Sequence, residues 1–338
     1  MTRFNHNVVK IDPGVETERI TGFLRNGVHR DMKRRGGVVG VSGGIDSAVV
    51  LALSVRAFGA GNVTAVMLPD RDSDPLSEQL ARELAARCGV EPLREDITEA
   101  LEGFECYRRR DDAVRRVFPD YDADAGWKFK IVLPQDLLEA GTLNVYSVTA
   151  IAPDGREETR PLGAREMLEI TAASNLKQRS RMSALYFHAE SRQYAVIGTS
   201  NKNEHAQGFF VKHGDGGVDI QAIAHLFKSQ VYQLARHLGV PPSIQRRPPT
   251  TDTYSAPCDQ QEFFFRLPFA TLDPIWFARD NNISAAEVAQ GMGMPELHVQ
   301  RVFDDIETKQ RTTEYLRLSP PMLGPAKPAH ASLEACHD

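Results

Sequence analysis

Residues 40–53 read Gly-Val-Ser-Gly-Gly-Ile-Asp-Ser-Ala-Val-Val-Leu-Ala-Leu: three glycines and three small polar side chains set just ahead of an apolar run of helical length. The segment leading in, Gly37-Val-Val-Gly-Val41, is short, β-branched and glycine-bounded, the pattern of a buried parallel strand. After the loop the spacing predicts a helix closing at a glycine, a second strand over 62–69, and an amphipathic helix over 75–90. Strand and helix in alternation predict an α/β fold, a doubly wound parallel sheet with helices on both faces. A glycine-rich turn between strand and helix gathers backbone N–H groups at a helix N-terminus, where anions and above all phosphates bind. The Walker pattern fails, because Ile45-Asp46-Ser47 stands where Gly-Lys-Ser/Thr is needed, and Gly-x-Gly-x-x-Gly fails as well. The alternative is a plain tight turn with a serine cap.

Composition narrows the function classes. Of 338 residues 41% are hydrophobic, enough for a substantial core, and 40 basic against 45 acidic residues leave a charge of −5. That balance creates no field for nucleic acid or an anionic membrane. Cys88, Cys106, Cys258 and Cys336 are widely spaced, so neither a zinc cluster nor a disulfide framework is suggested and a cytoplasmic setting is expected. No apolar run reaches the roughly 20 residues of a membrane span, and the first residues lack the apolar middle of a signal peptide. His188, His205, His213, His225 and His237 form no ligand set, and Gly40-Val-Ser-Gly-Gly44 has the local letters of Gly-x-Ser-x-Gly but lacks the rest of a hydrolase order.

Residues 107 to about 172 break the α/β rhythm with a highly charged run and a hairpin turning at Asp154-Gly155, and read as a partly exposed insertion. The rhythm resumes with a helix over 175–191, a strand over 193–200, a glycine-rich loop over 212–219 and a helix over 226–239. A proline-rich stretch follows, then C-terminal helices. The organisation expected is one domain over 1–322 with the insertion at about 107–172, and a loose tail over 323–338.

The hexapeptide Ser42-Gly-Gly-Ile-Asp-Ser47 resembles the signature of the PP-loop ATP pyrophosphatases, which split ATP between its α and β phosphates and adenylate a carbonyl or carboxyl oxygen. Within that superfamily, Gly198-Thr-Ser-Asn-Lys-Asn-Glu204, Gly214-Asp-Gly-Gly217 and the downstream Lys228, flanked by "NLKQRSRM" and "PPTTD", resemble the NAD synthase family, ammonia-dependent type. The resemblance implies an adenine nucleotide alpha hydrolase-like, Rossmann-like fold. It also implies amidation of nicotinic acid adenine dinucleotide to NAD, with ATP and Mg²⁺ consumed or required and AMP and pyrophosphate released. In that site Gly40 and Val41 lead into the loop, Ser42, Gly43, Gly44 and Ser47 hold pyrophosphate, and Ile45 starts the helix. Asp46 and Glu204 would hold the metal, Thr199 and Thr250 would contact ATP, and Lys228 would neutralise charge at the α-phosphate. Arg179, Lys212 and Asp219 are implied on the dinucleotide. Taken singly, each of these has an ordinary reading as a solvated helix face, a first-turn acid or a turn.

Departures gather on the acyl side. Val211 stands where the family has threonine and Ala222 where it has proline; Phe263, Phe264 and Phe265 replace an acidic run, with a place in the core expected for them. Tyr315 and Leu316 occupy His and Lys places, leaving Arg317. Amidation of a different carboxylic acid, or with a different amine, therefore stays open beside NAD synthesis. A non-catalytic nucleotide-binding protein is a third reading, opposed by intact Asp46, Glu204 and Lys228. Residues 1–39 contain no cysteine to serve a glutamine-hydrolysing domain, so ammonia is the implied nucleophile unless a separate glutaminase supplies it. The family also implies a homodimer.

Overall fold

A computed structural model describes residues 4–133, 146–251, 254–260 and 264–323. The first half follows the expected alternation: α1 (Pro13–Arg25), β1 (Gly37–Gly40), α2 (Ile45–Phe58), β2 (Val63–Met67), α3 (Pro75–Arg87) and β3 (Leu93–Arg94). Local chemistry sets the boundaries. Asp12 and Asp74 cap α1 and α3, each with proline at the next position, and Gly59 at φ 78° ends α2. Next come α4 (Thr98–Gly103), α5 (Cys106–Val117), β4 (Lys128–Val132), β5 (Ser147–Ile151), β6 (Glu157–Pro161) and the long α6 (Ala164–Glu190). The order continues with β7 (Ala195–Gly198), α7 (Lys202–Gln207), β8 (Ile220–Gln221), α8 (Lys228–His237) and α9 (Pro242–Arg246). Strands β9 (Thr250–Thr251) and β10 (Cys258–Asp259) precede α10 (Phe269–Asp280), α11 (Ala285–Met292), α12 (Glu296–Thr312) and α13 (Glu314–Arg317).

The main sheet has the order β3-β2-β1-β7-β8 and is parallel throughout. Gly37 of β1 lies opposite Val63 on one side and Ala195 on the other, and Val38 and Val39 between them are fully buried. The chain leaves β1 outward through β2 and β3, then returns to its other side at β7. Successive connections therefore part at the carboxyl ends of β1 and β7, where a doubly wound sheet opens its ligand crevice. One apolar core packs α1, α2, α3 and α8 on this sheet; a second joins α10, α11 and α12. Among the described residues no helix is long and apolar enough to cross a membrane.

The segment expected as an insertion is more ordered than its charge suggests. Its hairpin turns at Asp154-Gly155 as the sequence implied, but β4 adds a third antiparallel strand to β5 and β6. Helix α6 begins at Ala164 and not near 175, because the intervening residues are good helix formers packed along α5. The charged run forms α5, whose Arg110 and Asp111 are buried. Arg110 pairs there with Asp72 and Asp111, and Lys177 with Asp70 and Asp72. Buried charge is tolerated only when paired, and apart from the adjacent Asp111 these partners lie far apart in sequence. Phe265 is core, packed on Phe209 and Phe269, with Phe264 partly buried beside it; Phe263 and the tail beyond 323 lie outside the described residues.

Candidate active site

A cleft of about 700 Å³ opens above the carboxyl ends of β1 and β7. Its floor is the β1–α2 loop. Gly44, extended at φ −91°, starts α2 without a side-chain cap, so the N–H groups of the first helical turn have no partner within the helix. Ser42 and Ser47 brace the loop through their hydroxyls, 3.3 Å apart, and Ser47 Oγ donates to the Gly44 carbonyl at 3.1 Å. Gly43 stands behind this floor. At φ 70° its absent Cβ would meet the Ser77 carbonyl oxygen at 2.5 Å, so glycine lets the loop pass against α3.

Across the floor, the β7–α7 turn presents Thr199 and Ser200, the first turn of α7 presents Glu204, and α8 presents its first residue, Lys228. Asn201 and Glu204 form a capping box: Glu204 N–H donates to Asn201 Oδ1 at 3.1 Å and Asn201 N–H to Glu204 Oε2 at 3.2 Å. Asn201 Nδ2 also donates to Asp46 Oδ1 at 3.0 Å, tying the two turns together. The ammonium of Lys228 donates to Asp46 Oδ2 and lies 3.8 Å from Glu204 Oε1, which accepts from Gln260 Nε2 at 3.0 Å. Burial, reinforced by the charge of Asp46 and opposed by Lys228, pushes the Glu204 carboxyl up to about 7. Burial alone would lower Lys228, but Asp46 and Glu204 outweigh it and hold the ammonium above its ordinary value.

Among the described residues no three His, Cys, Asp or Glu side chains converge as a metal cage. Two carboxylates flanking one cation nevertheless fit Mg²⁺, which uses few protein oxygens and completes its shell with phosphate and water. Asp46 and Glu204 are the residues that would hold it.

The structure brings Gly40, Val41, Ser42, Gly44, Ile45, Asp46, Ser47, Thr199, Glu204, Lys228 and Thr250 to this single cleft. Three residues implied on the acyl substrate do not line it. Arg179 is exposed on α6, where Gln178, Arg181 and Met182 face the cleft instead. Asp219 fastens the sheet to α6, accepting from Val196 N–H at 2.8 Å and from Tyr186 Oη at 3.1 Å. Lys212 donates to the Tyr315 and Leu318 carbonyls at 2.8 and 3.0 Å, bringing the C-terminal segment to the rim, where Tyr315 and Leu316 face the cleft. Sequence reasoning passed over Gln260, which has no local signal, and over Asn201, whose Asn-x-x-Glu spacing was available as one. Tyr146 and Met167, beside the inserted sheet, supply an apolar wall.

The chain matches the family model for NAD synthase over residues 16–117 and 142–317, leaving unmatched the stretch that contains β4. It is 45% identical over 324 residues to the NH3-dependent NAD+ synthetase of Rhizobium meliloti (strain 1021), covering 96% of each chain. Identity to the NH3-dependent NAD+ synthetase of Thermotoga maritima is 37%, over 78% of this chain and 87% of that one. Among solved structures, NMN synthetase from Francisella tularensis aligns with a TM-score of 0.62 and 22% identity, covering 93% of this chain and all (100%) of the other. NH3-dependent NAD synthetase from Campylobacter jejuni aligns with a TM-score of 0.59, also at 22% identity, covering 93% of this chain and 100% of that one. These two likenesses concern the fold.

Proposed function

The chain belongs to the NAD synthase family, and from that premise we propose that it amidates nicotinic acid adenine dinucleotide to NAD, consuming ATP and ammonia and releasing AMP and pyrophosphate. The observation that carries the reading is the meeting of Asp46, Glu204 and Lys228 at the mouth of a glycine-rich helix N-terminus. The loop N–H groups and the hydroxyls of Ser42 and Ser47 receive the β and γ phosphates. Asp46 and Glu204 would hold Mg²⁺, which would supply charge neutralisation on the phosphate oxygens. Lys228 then turns from the carboxylates toward the α-phosphate, and Thr199 and Thr250 fix the nucleotide.

The substrate carboxylate attacks the α-phosphorus and pyrophosphate leaves, producing an acyl adenylate. Ammonia attacks the acyl carbon, gives up a proton, and AMP departs. Positioning and charge stabilisation supply most of the acceleration in such transfers. The working form we propose is a cytoplasmic homodimer: exposed Arg179 shares a stripe of α6 with exposed Leu168 and Ser183, a face suited to a second copy that would bring Arg179 to a dinucleotide.

The test is incubation of the purified protein with ATP, Mg²⁺, ammonium and nicotinic acid adenine dinucleotide, following NAD and AMP together. Equal amounts of both are expected, with loss of both in Asp46→Asn. AMP formed only with another acid, such as nicotinic acid mononucleotide, would overturn the dinucleotide as substrate.

A further inference from the structure

Lys228 reaches the cleft with its side chain, while its backbone is held by a buried polar chain outside the cleft. Helix α8 starts at Lys228 behind Phe227, a residue with no group to cap it. The first N–H groups of a helix need partners from elsewhere. Here Lys228 N–H donates to Asn203 Oδ1 at 2.9 Å, Ser229 N–H donates to Asp273 Oδ2 at 2.8 Å, and Asn203 Nδ2 donates to Asp273 Oδ1 at 2.7 Å. Asn203 and Asp273 are completely buried and neither lines the cleft. Asn203 adjoins Glu204 on α7, whereas Asp273 belongs to α10 in the C-terminal core.

The polarity of this chain is fixed from both ends. A backbone N–H can only donate, so Asn203 must turn its oxygen to Lys228 and its NH₂ to Asp273. Ser229 N–H demands an oxygen too. Residue 273 must therefore accept at both of its terminal atoms, which an ionised carboxylate does and an amide does not. Its charge at the start of α8 also suits the helix dipole.

We propose that Asp273, acting through Asn203, is a positioning residue for ATP cleavage. It locks α7 and α8 in the register that sets Glu204 and Lys228 opposite Asp46. The proposal rests on the assignment of those three groups to the ATP site.

Asp273→Asn turns an NH₂ against a donor in either orientation, and Asn203→Asp sets two carboxylates face to face. The double exchange, Asn203→Asp with Asp273→Asn, restores an acceptor for every donor. Three quantities are measured on each full-length variant: the Kd for Mg·ATP by calorimetry without dinucleotide, kcat with the dinucleotide KM, and the thermal unfolding midpoint. Each single variant is expected to weaken Mg·ATP binding and lower kcat by about ten- to a hundredfold, with the dinucleotide KM unchanged, and the exchange to recover most of both losses. A role in stability alone would lower the midpoint and leave kcat of the folded enzyme intact. Single variants with unchanged Kd and kcat overturn the proposal, as does a double exchange that is unfolded or as impaired as the singles. Wild-type protein that binds Mg·ATP yet makes no NAD would defeat the dinucleotide reading, while the Kd series still decides the role of Asp273.

Discussion

Glu204, its side chain 12% exposed, faces Asp46 and Lys228, and its raised pKa follows first from burial and then from the charge of Asp46, against the pull of Lys228. A carboxyl that titrates at about 7 in the folded chain against an ordinary 4.5 binds its proton more tightly when folded. Between those values the folded chain carries the extra proton, so stability falls as pH rises through the window and stays reduced above it. The gap corresponds to about 3 kcal/mol. Glu204→Gln has no proton to lose. Its unfolding free energy relative to wild type should therefore rise by about 3 kcal/mol between pH 4.5 and pH 8 in urea titrations of the ligand-free protein. A difference that does not vary with pH would show that burial leaves Glu204 unperturbed. Lys228 was legible as a candidate site residue from its motif, but its burial and its pairing with both carboxylates were not, since Asp46 lies 182 positions away.

The β1–α2 turn was the most legible element because its requirements are local: a β-branched strand, backbone room and a helix start within a few residues. Gly43 shows what those requirements are for. Gly43→Ala would hold a side chain in the left-handed region, at about 1–2 kcal/mol, and press it on the Ser77 carbonyl of α3. The loop must shift, and the Kd for Mg·ATP should rise by at least about tenfold, measured by calorimetry. An unchanged Kd would mean that the loop is not held against α3. Helix α10 was harder to anticipate, since Pro274 inside it argues for a break. The helix nevertheless runs through it, and the Ala270 carbonyl, denied its usual donor, lies 3.4 Å from His6 Nδ1.

At the scale of the molecule, the cleft is bounded by parts far apart in the chain: the sheet ends, α6 with the residues beside the inserted sheet, and a C-terminal segment drawn in by Lys212. Gly208, at φ 76°, lets that segment come close, because a Cβ there would lie 2.3 Å from the Thr313 side chain. Lys212→Met removes both contacts to the Tyr315 and Leu318 carbonyls. Limited trypsin digestion should then cut faster after Arg311 and Arg317, and the dinucleotide KM should rise while the ATP KM holds. Unaltered cleavage would place the hold on this segment elsewhere, for instance in Arg317, which donates to the Gln310 and His205 carbonyls. By itself the sequence determined the alternating fold and the glycine-rich turn between β1 and α2, because strand and helix periodicity, capping and glycine spacing act over a few residues, and its motifs pointed to the kind of reaction through their resemblance to a family. Tertiary structure alone decided that Lys228 sits between Asp46 and Glu204, that Arg110 and Lys177 are buried with Asp70 and Asp72, and that Asp273 fixes the start of α8. Those outcomes depend on charge pairing and donor–acceptor matching across separate elements, which leave no period in the chain.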